Sequence, residues 1–407
     1  MADGRTFVIV GASLAGAKAA EALRDEGFDG RVVLVGAESH RPYERPPLSK
    51  GYLQGSAERE SVHVHPEGFY EQRDIELVLG REVTAVDPGA RTATLADGTS
   101  LGWDALLLAT GSEPRRLPIP GAGLDGVHVL RTLDDSDRLR MVIARGGRLV
   151  VIGAGWIGAE AAASARVGGM EVTMVEQQSV PLQGVLGEAV GGMYGDVHRD
   201  HGVELLTGSG VEAIEGDGRA ERVRLAGGRL VDCAAVLVGV GAAPRTALAE
   251  AAGLALDNGV LVDATLRAAG EVYAAGDIAN AEHPFFGRRV RVEHWANALN
   301  QGPAAARSML GSAEPFDRLP YFFSDQYDVG MEYSGLADAG APVIVRGDLA
   351  AREAVVFWLG EDGAVTAGMN INVWDVNDAV QALIRSRAAV DPARLADPEV
   401  PLEELSR

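Results

Sequence analysis

The sequence predicts an α/β chain in which one βαβ unit is built twice and a small α+β domain follows. Three observations carry this. The β-branched run Phe7 to Val10 stops at Gly11 and leads into an Ala-rich helical stretch. Arg148 to Ile152 stops at Gly153 and does the same, so the unit recurs. After Ala313-Glu-Pro-Phe the pattern changes to short strands and one closing helix, and 315–407 carry 16 acids against 7 arginines.

The elements follow in order. A strand over Phe7 to Val10 turns at Gly11 into a helix from Leu14 to Leu23, and Arg31 to Val35 returns as a second strand ending at Gly36. Arg81 to Val86 and Thr92 to Leu95 flank Asp87-Pro-Gly, and 103–109 follow as a β-meander rejoining the sheet. The second unit places a strand at 148–152, a helix from Ile157 to about Val167 and a strand at Glu171 to Val175. Its meander is Val211 to Ile214, Arg222 to Leu225 and Cys233 to Val240. The last domain holds strands at 342–345, 354–359 and 364–369, then a helix from Val376 to Arg385. The Pro- and Asp-rich tail from Asp391 reads as loosely ordered.

At 407 residues the chain exceeds one ordinary core, and an apolar content of 47% supports two or three. A net charge of −21 argues against nucleic acid, which needs a basic footprint, and against an anionic membrane surface. Cys233 is the single cysteine, which excludes an internal disulfide, a two-cysteine redox pair and a Cys-rich metal site. His63, His65, His198 and His201 have no matching ligand set, so no metal is expected. The N-terminus lacks a secretory pattern, and the longest apolar stretch is far short of the roughly 18 residues a membrane span needs. These features suit a cytoplasmic protein.

The second unit contains Gly153-Ala-Gly155-Trp156-Ile157-Gly158 between a strand and a helix, the full G-x-G-x-x-G pattern. Its glycines permit the tight turn, backbone approach to a pyrophosphate and close helix packing, while the helix N-terminus attracts the phosphates. Glu176 stands 18 residues past Gly158, where an acid accepts ribose hydroxyls. Gln177 and Gln178 follow it with no arginine for a 2′-phosphate, which favours NAD over NADP. The first unit reads Gly11-Ala-Ser13-Leu14-Ala15-Gly16 and departs from the pattern at Ser13, whose hydroxyl can donate to a phosphate. Its ribose acid falls near Ala37-Glu38.

Further segments concern the first unit's ligand. Ala109-Thr110-Gly111 ends a strand and turns the chain out of the first domain. Val272 to Asp277 is an apolar strand ending in Gly276-Asp277, where the acid either bonds a ribityl hydroxyl or caps a helix. Arg45 and Lys50 flank a Pro-Pro turn. Lys50 is one of only two lysines, in a chain whose other cations are arginine.

Together the motifs YERPPLSK, LLLATG, VIGAGWIGAE, VYAAGDIAN, VEHWANALNQG and LPYFFSDQYD, spread in order over 7–328, resemble the bacterial FAD-dependent ferredoxin and rubredoxin reductases of oxygenase systems. The resemblance implies two Rossmann-like, glutathione-reductase-type domains and a small α+β C-terminal domain. It assigns 1–112 with 243–315 to FAD, 113–242 to NAD and 316–407 to a C-terminal interface domain. Gly11, Ser13, Leu14, Ala15 and Gly16 would hold the FAD pyrophosphate, Ala37 or Glu38 the adenosine end, and Val83 the adenine. Arg45 and Lys50 would approach the flavin, Ala109, Thr110, Gly111, Arg131, Gly276 and Asp277 line its cleft, and Glu293-His294-Trp295 lie along it. Gly153, Gly155, Trp156, Ile157, Gly158, Glu176, Val240 and Gly241 would bind the NAD dinucleotide, with Glu160 on its nicotinamide side. Phe323 stands where a Trp is common in the family.

The resemblance implies hydride transfer from NADH to FAD and one-electron delivery to an iron–sulfur ferredoxin, most simply [2Fe–2S], that feeds an oxygenase such as a cytochrome P450. No side chain needs to act as acid, base or nucleophile in the first step, because the cofactor carries the chemistry. Lys50 and Glu160 are expected to pair and act as the catalytic residues. Trp295, Phe322 and Phe323 are candidates for the electron exit or for plain core packing. An acidic ferredoxin would need a local basic patch on so acidic a chain, drawn from Arg45, Arg288, Arg289, Arg291 and Arg307, unless these are scattered loop charges. A rubredoxin reductase, a quinone reductase and an apoptosis-inducing-factor-like signalling flavoprotein are the alternatives. Disulfide reductases and single-cysteine peroxidases lack their cysteines here.

Overall fold

The computed structural model describes residues 4–405, and these form two compact units. One takes 4–45, Glu58–Glu113 and Ala242–Pro320; the other takes Pro46–Ala57, Pro114–Gly241 and 321–405. The segment carrying Lys50 therefore belongs with the second unit.

The first unit is built on a six-stranded sheet ordered Arg267–Ala269, Val272–Ala274, Ala105–Leu108, Thr6–Val10, Arg31–Val35 and Ile75–Val78. Its central strands run parallel, with Phe7 opposite Val32 and Val8 opposite Leu106. Parallel strands covered on both faces need continuous apolar residues, and Phe7, Val8 and Ile9 are essentially inaccessible. The helix Leu14–Asp25 crosses between the first two strands. Its face is nearly all Ala, so the helix Trp295–Met309 packs closely against it. The meander closes as an antiparallel sheet of Val83–Asp87, Thr92–Leu95 and Ser100–Gly102.

The second unit repeats the plan with a five-stranded parallel sheet ordered Glu204–Leu206, Glu171–Val175, Arg148–Ile152, Ala235–Val238 and Val127–His128. The helix Trp156–Val167 joins its two central strands, and Val211–Glu215, Arg222–Leu225 and Leu230–Asp232 form its meander. The run expected as one strand over Cys233 to Val240 is shorter, Ala235–Val238.

The C-terminal segment forms a five-stranded antiparallel sheet, Tyr321–Gln326, Val329–Gly335, Val365–Ile371, Glu353–Leu359 and Val343–Asp348 in spatial order. Its first two strands were not among the expected elements. The tail from Asp391 is also ordered, contrary to expectation: Pro392–Ala396 is helical and Leu395 is fully buried. Arg346 fastens it by donating to the carbonyls of Leu395, Asp397, Pro398 and Val400 at 2.6 to 3.4 Å. Among the described residues no helix is long and apolar enough to cross a membrane.

Candidate functional site

In the first unit two glycines bring the helix hard against the sheet. Gly11 has φ +120°, and a Cβ there would stand 2.1 Å from the Ala109 carbonyl oxygen. A Cβ on Gly16 would stand 2.0 Å from the Gly11 carbonyl oxygen. The helix Leu14–Asp25 begins at Ser13, whose side chain makes no capping bond, and its first turn holds no acid. Its leading N–H groups could take an anion from outside. Leu14 and Ala15 are buried behind this turn, and the Ala15 methyl limits space beside Gly276 to 3.2 Å.

Around it stand the other predicted residues of that unit. Glu38 accepts from the Tyr43 hydroxyl at 2.5 Å and pairs with Arg45 at 3.5 Å, while Ala37 is exposed. Val83 belongs to the buried core. Thr110 Oγ1 donates to the Arg245 carbonyl at 3.2 Å, next to Gly111 at φ +70°. Gly276 N donates to Gln301 Oε1 at 2.8 Å. Asp277 is buried in a three-residue 3₁₀ turn and accepts from Ser112 Oγ at 2.7 Å, so it caps no α-helix. His294 is the N-cap residue of the helix Trp295–Met309, and desolvation lowers its imidazole to about 4. Trp295 is half-buried.

The expected basic patch is largely neutralised. Arg45 faces Glu38, Arg289 faces Glu282 at 2.7 Å, Arg291 faces Glu293 at 2.6 Å and Arg307 faces Glu26 at 3.9 Å. The same acidic composition that gives the chain its charge supplies a carboxylate to each.

In the second unit the cradle recurs. Gly153 has φ +97° and a Cβ there would lie 2.5 Å from the Gly239 carbonyl oxygen; one on Gly158 would lie 2.1 Å from the Gly153 carbonyl oxygen. At Gly155 the nearest such atom is 4.0 Å away, so its missing side chain leaves the turn open for an approaching phosphate. Gly155 is the N-cap of Trp156–Val167, without an acid in the first turn. Glu176 is pinned at the end of the next strand, accepting from Ala154 N at 2.8 Å and Gln178 N at 2.9 Å. Ile157 is exposed at 45%. Trp156 turns its ring onto Tyr194 and Phe322, with centroids at 5.9 and 5.0 Å. Val240 is half-buried, and the exposed Gly241 accepts from Arg115 N through its carbonyl at 2.9 Å. Arg131 N bonds Asp135 Oδ2 at 3.0 Å, beside the capping box of Leu133–Arg145.

Lys50 and Glu160 meet: Nζ to Oε2 is 2.8 Å, with the Glu160 side chain 5% and the Lys50 side chain 15% exposed. The Lys50 ammonium also lies 5.5 Å from the Phe323 ring centroid. Two residues that the sequence reading overlooked complete the setting. Ser49 Oγ donates to Glu160 Oε2 at 2.5 Å and Ser324 Oγ to Oε1 at 2.7 Å. Ser49 is held in turn by its carbonyl, which accepts from Ser164 Oγ at 2.6 Å. Burial raises the neighbouring Asp325 carboxyl, against the pull of Lys50. Phe322 is buried among Trp156 and Tyr333 and is core rather than an exposed edge. Cys233 is half-buried, and burial pushes its thiol up to about 11, which leaves it unreactive near neutrality.

Two glycine-cradled strand-to-helix turns, each backed by a parallel sheet, define an α/β protein with two dinucleotide-type units. The chain belongs to the pyridine nucleotide-disulphide oxidoreductase family, whose model matches residues 5–302, and residues 321–406 match the Reductase C-terminal family. It is 40% identical over 405 residues to the 5,5'-dehydrodivanillate O-demethylase ferredoxin reductase subunit of Sphingobium sp. (strain SYK-6), covering 98% of each chain. It is 38% identical over 405 residues to the anthranilate 1,2-dioxygenase system ferredoxin–NAD(+) reductase component of Burkholderia cepacia, again 98% of each. Among solved structures, the covalent putidaredoxin reductase–putidaredoxin complex superposes with a TM-score of 0.95 at 36% identity, covering 100% of this chain and 98% of that one.

Proposed function

We propose that this protein is an FAD-dependent NADH:ferredoxin reductase of the cytoplasm, passing electrons to a [2Fe–2S] ferredoxin that serves an oxygenase such as a cytochrome P450. The observation that carries the reading is likeness along nearly the whole chain to reductases named for ferredoxins, in a protein with one cysteine and so no disulfide chemistry. Bound FAD supplies the exchange between a two-electron donor and a one-electron acceptor.

The residues divide this work. Gly11 and Gly16 fit the FAD pyrophosphate because neither has room for a side chain, and Ser13 because its hydroxyl makes no capping bond at the helix N-terminus. Gly153 and Gly158 fit the NADH pyrophosphate in the same way, and Gly155 does so by leaving the turn open. Glu176, pinned by two backbone N–H groups, presents acceptors to the ribose, and its negative charge opposes a 2′-phosphate. The Lys50–Glu160 pair serves the nicotinamide end: Glu160 accepts from the carboxamide, and Lys50 donates to that buried carboxylate.

The test uses protein reconstituted with FAD. It should turn yellow, bleach anaerobically with NADH, and reduce cytochrome c only when a ferredoxin is added. A colourless product, or a bound chromophore that NADH does not bleach, would sink the reading. Turnover with rubredoxin and none with a ferredoxin panel would make it a rubredoxin reductase.

A further inference from the structure

Glu160 is held by more than its ion pair. Oε2 takes Lys50 Nζ at 2.8 Å and Ser49 Oγ at 2.5 Å, whereas Oε1 takes Ser324 Oγ at 2.7 Å. Ser324 stands on Tyr321–Gln326, 164 residues along the chain. Its oxygen accepts from Gln326 Nε2 at 3.3 Å, and Gln326 Oε1 lies 3.0 Å from His198 Nε2. Ser324 and Gln326 are each 1% exposed and His198 is inaccessible.

Elementary donor chemistry fixes the direction of this chain. The Gln326 amide oxygen can only accept, so His198 Nε2 carries the proton. The Gln326 NH₂ can only donate, so the Ser324 oxygen is its acceptor and the one Ser324 hydroxyl proton goes to Glu160. Every link thus points toward the Glu160 carboxylate. Burial keeps His198 neutral near pH 7 by lowering its imidazole to about 4, in agreement with that order. Oε2, with two donors, is full. Oε1 has one donor and keeps one acceptor direction, and the Ser324 hydroxyl determines where it points.

We propose that Ser324, backed by Gln326 and His198, is a positioning residue that sets the free lone pair of Glu160 Oε1 for a carboxamide N–H donor of the nicotinamide. The role rests on the reading of Glu160 as the nicotinamide-side acceptor. It gives the C-terminal segment a part in substrate binding, through the strand that carries Ser324. Losing a hydrogen bond to a buried charged group weakens the site in which that charge acts.

The test measures binding of NAD⁺ and of ADP-ribose, which lacks the nicotinamide, to the oxidised FAD-loaded enzyme by calorimetry. S324A is expected to bind NAD⁺ about tenfold more weakly, the loss typical of one hydrogen bond to a charged group. ADP-ribose affinity should stay within about twofold, because its contacts lie elsewhere. In the E160A background, S324A should cause no further loss of NAD⁺ affinity. If S324A does not fold, S324C is read the same way, since a thiol is close to the hydroxyl in size and a weak donor. Unchanged NAD⁺ affinity in S324A beside a weakened E160A overturns the role of Ser324 alone. Parallel loss of NAD⁺ and ADP-ribose in S324A overturns it too, as a structural effect. E160A binding NAD⁺ as wild type does would remove Glu160 from the nicotinamide end and the proposal with it.

Discussion

Lys50 is one of two lysines in the chain and sits against a carboxylate that solvent scarcely reaches. Breaking a buried pair by removing one partner costs ~3–5 kcal/mol, because the other charge is left without compensation. In Lys50→Met the two serines remain on Glu160, so the fold should survive with a lower melting temperature. NADH bleaching, followed in the stopped flow, should slow by at least about tenfold. A folded variant that bleaches at the wild-type rate would remove Lys50 from the site. His198 makes a second prediction at this scale. Its imidazole falls from 6.5 to about 4 on burial. Between those values the unfolded chain binds a proton that the native chain refuses. Stability therefore falls as pH drops through that window, by ~1.4 kcal/mol per pH unit for one such group. It is fully present above about 6.5 and levels off below about 4. His198→Asn keeps an N–H donor and cannot titrate there. Its melting temperature should drop less than wild type between about pH 7 and about pH 5; equal slopes would mean that other groups set the acid limb.

The strand Val343–Asp348 carries the clamp on the C-terminal tail. Arg346 donates to four backbone carbonyls of residues 395–400. Hydrogen bonds from a charged donor contribute ~1.5–3 kcal/mol each at most, and neighbours sharing one donor group do not add. Arg346→Ala should speed amide exchange across 395–402 while exchange in the parallel sheets stays as in wild type; unchanged protection of the tail would show that Leu395 and Leu402 hold it alone. The clamp helps explain why a Pro- and Asp-rich tail read as loose: part of its order comes from a distant guanidinium and from the buried Leu395, which local composition does not encode. The strand–turn–helix units were legible for the opposite reason, since glycines that touch a neighbouring carbonyl must stand at fixed local spacing. Tyr321–Gln326 was missed through a third cause. Its inward residues are Phe322, Ser324 and Gln326, and two of these three are polar. The alternation is present, but polar groups occupy the buried face because they form the chain to Glu160. A strand whose hidden side is hydrophilic defeats hydropathy reading where it serves a site. The available signal was alternation itself, in Phe-x-Ser-x-Gln.

At the scale of the whole molecule, charge decides how the protein meets an electron carrier. The chain carries −21, and four of the five arginines first considered as a docking patch face carboxylates instead. Arg288, the fifth, is exposed. Exposed ion pairs present little net field beyond their own contact, so at long range the negative total prevails. An acidic ferredoxin is then repelled on approach, and recognition rests on short-range contacts. Salt shortens the range of that repulsion from about 30 Å at 0.01 M to about 8 Å at 0.15 M. The second-order rate constant for reducing an acidic ferredoxin should therefore rise across this interval, by at least about twofold. The measurement is stopped-flow reduction of excess ferredoxin by NADH-reduced enzyme, with NADH bleaching recorded at each salt concentration to exclude an effect on the first half-reaction. A rate constant that falls with salt would mean that cations dominate the docking face despite their paired carboxylates.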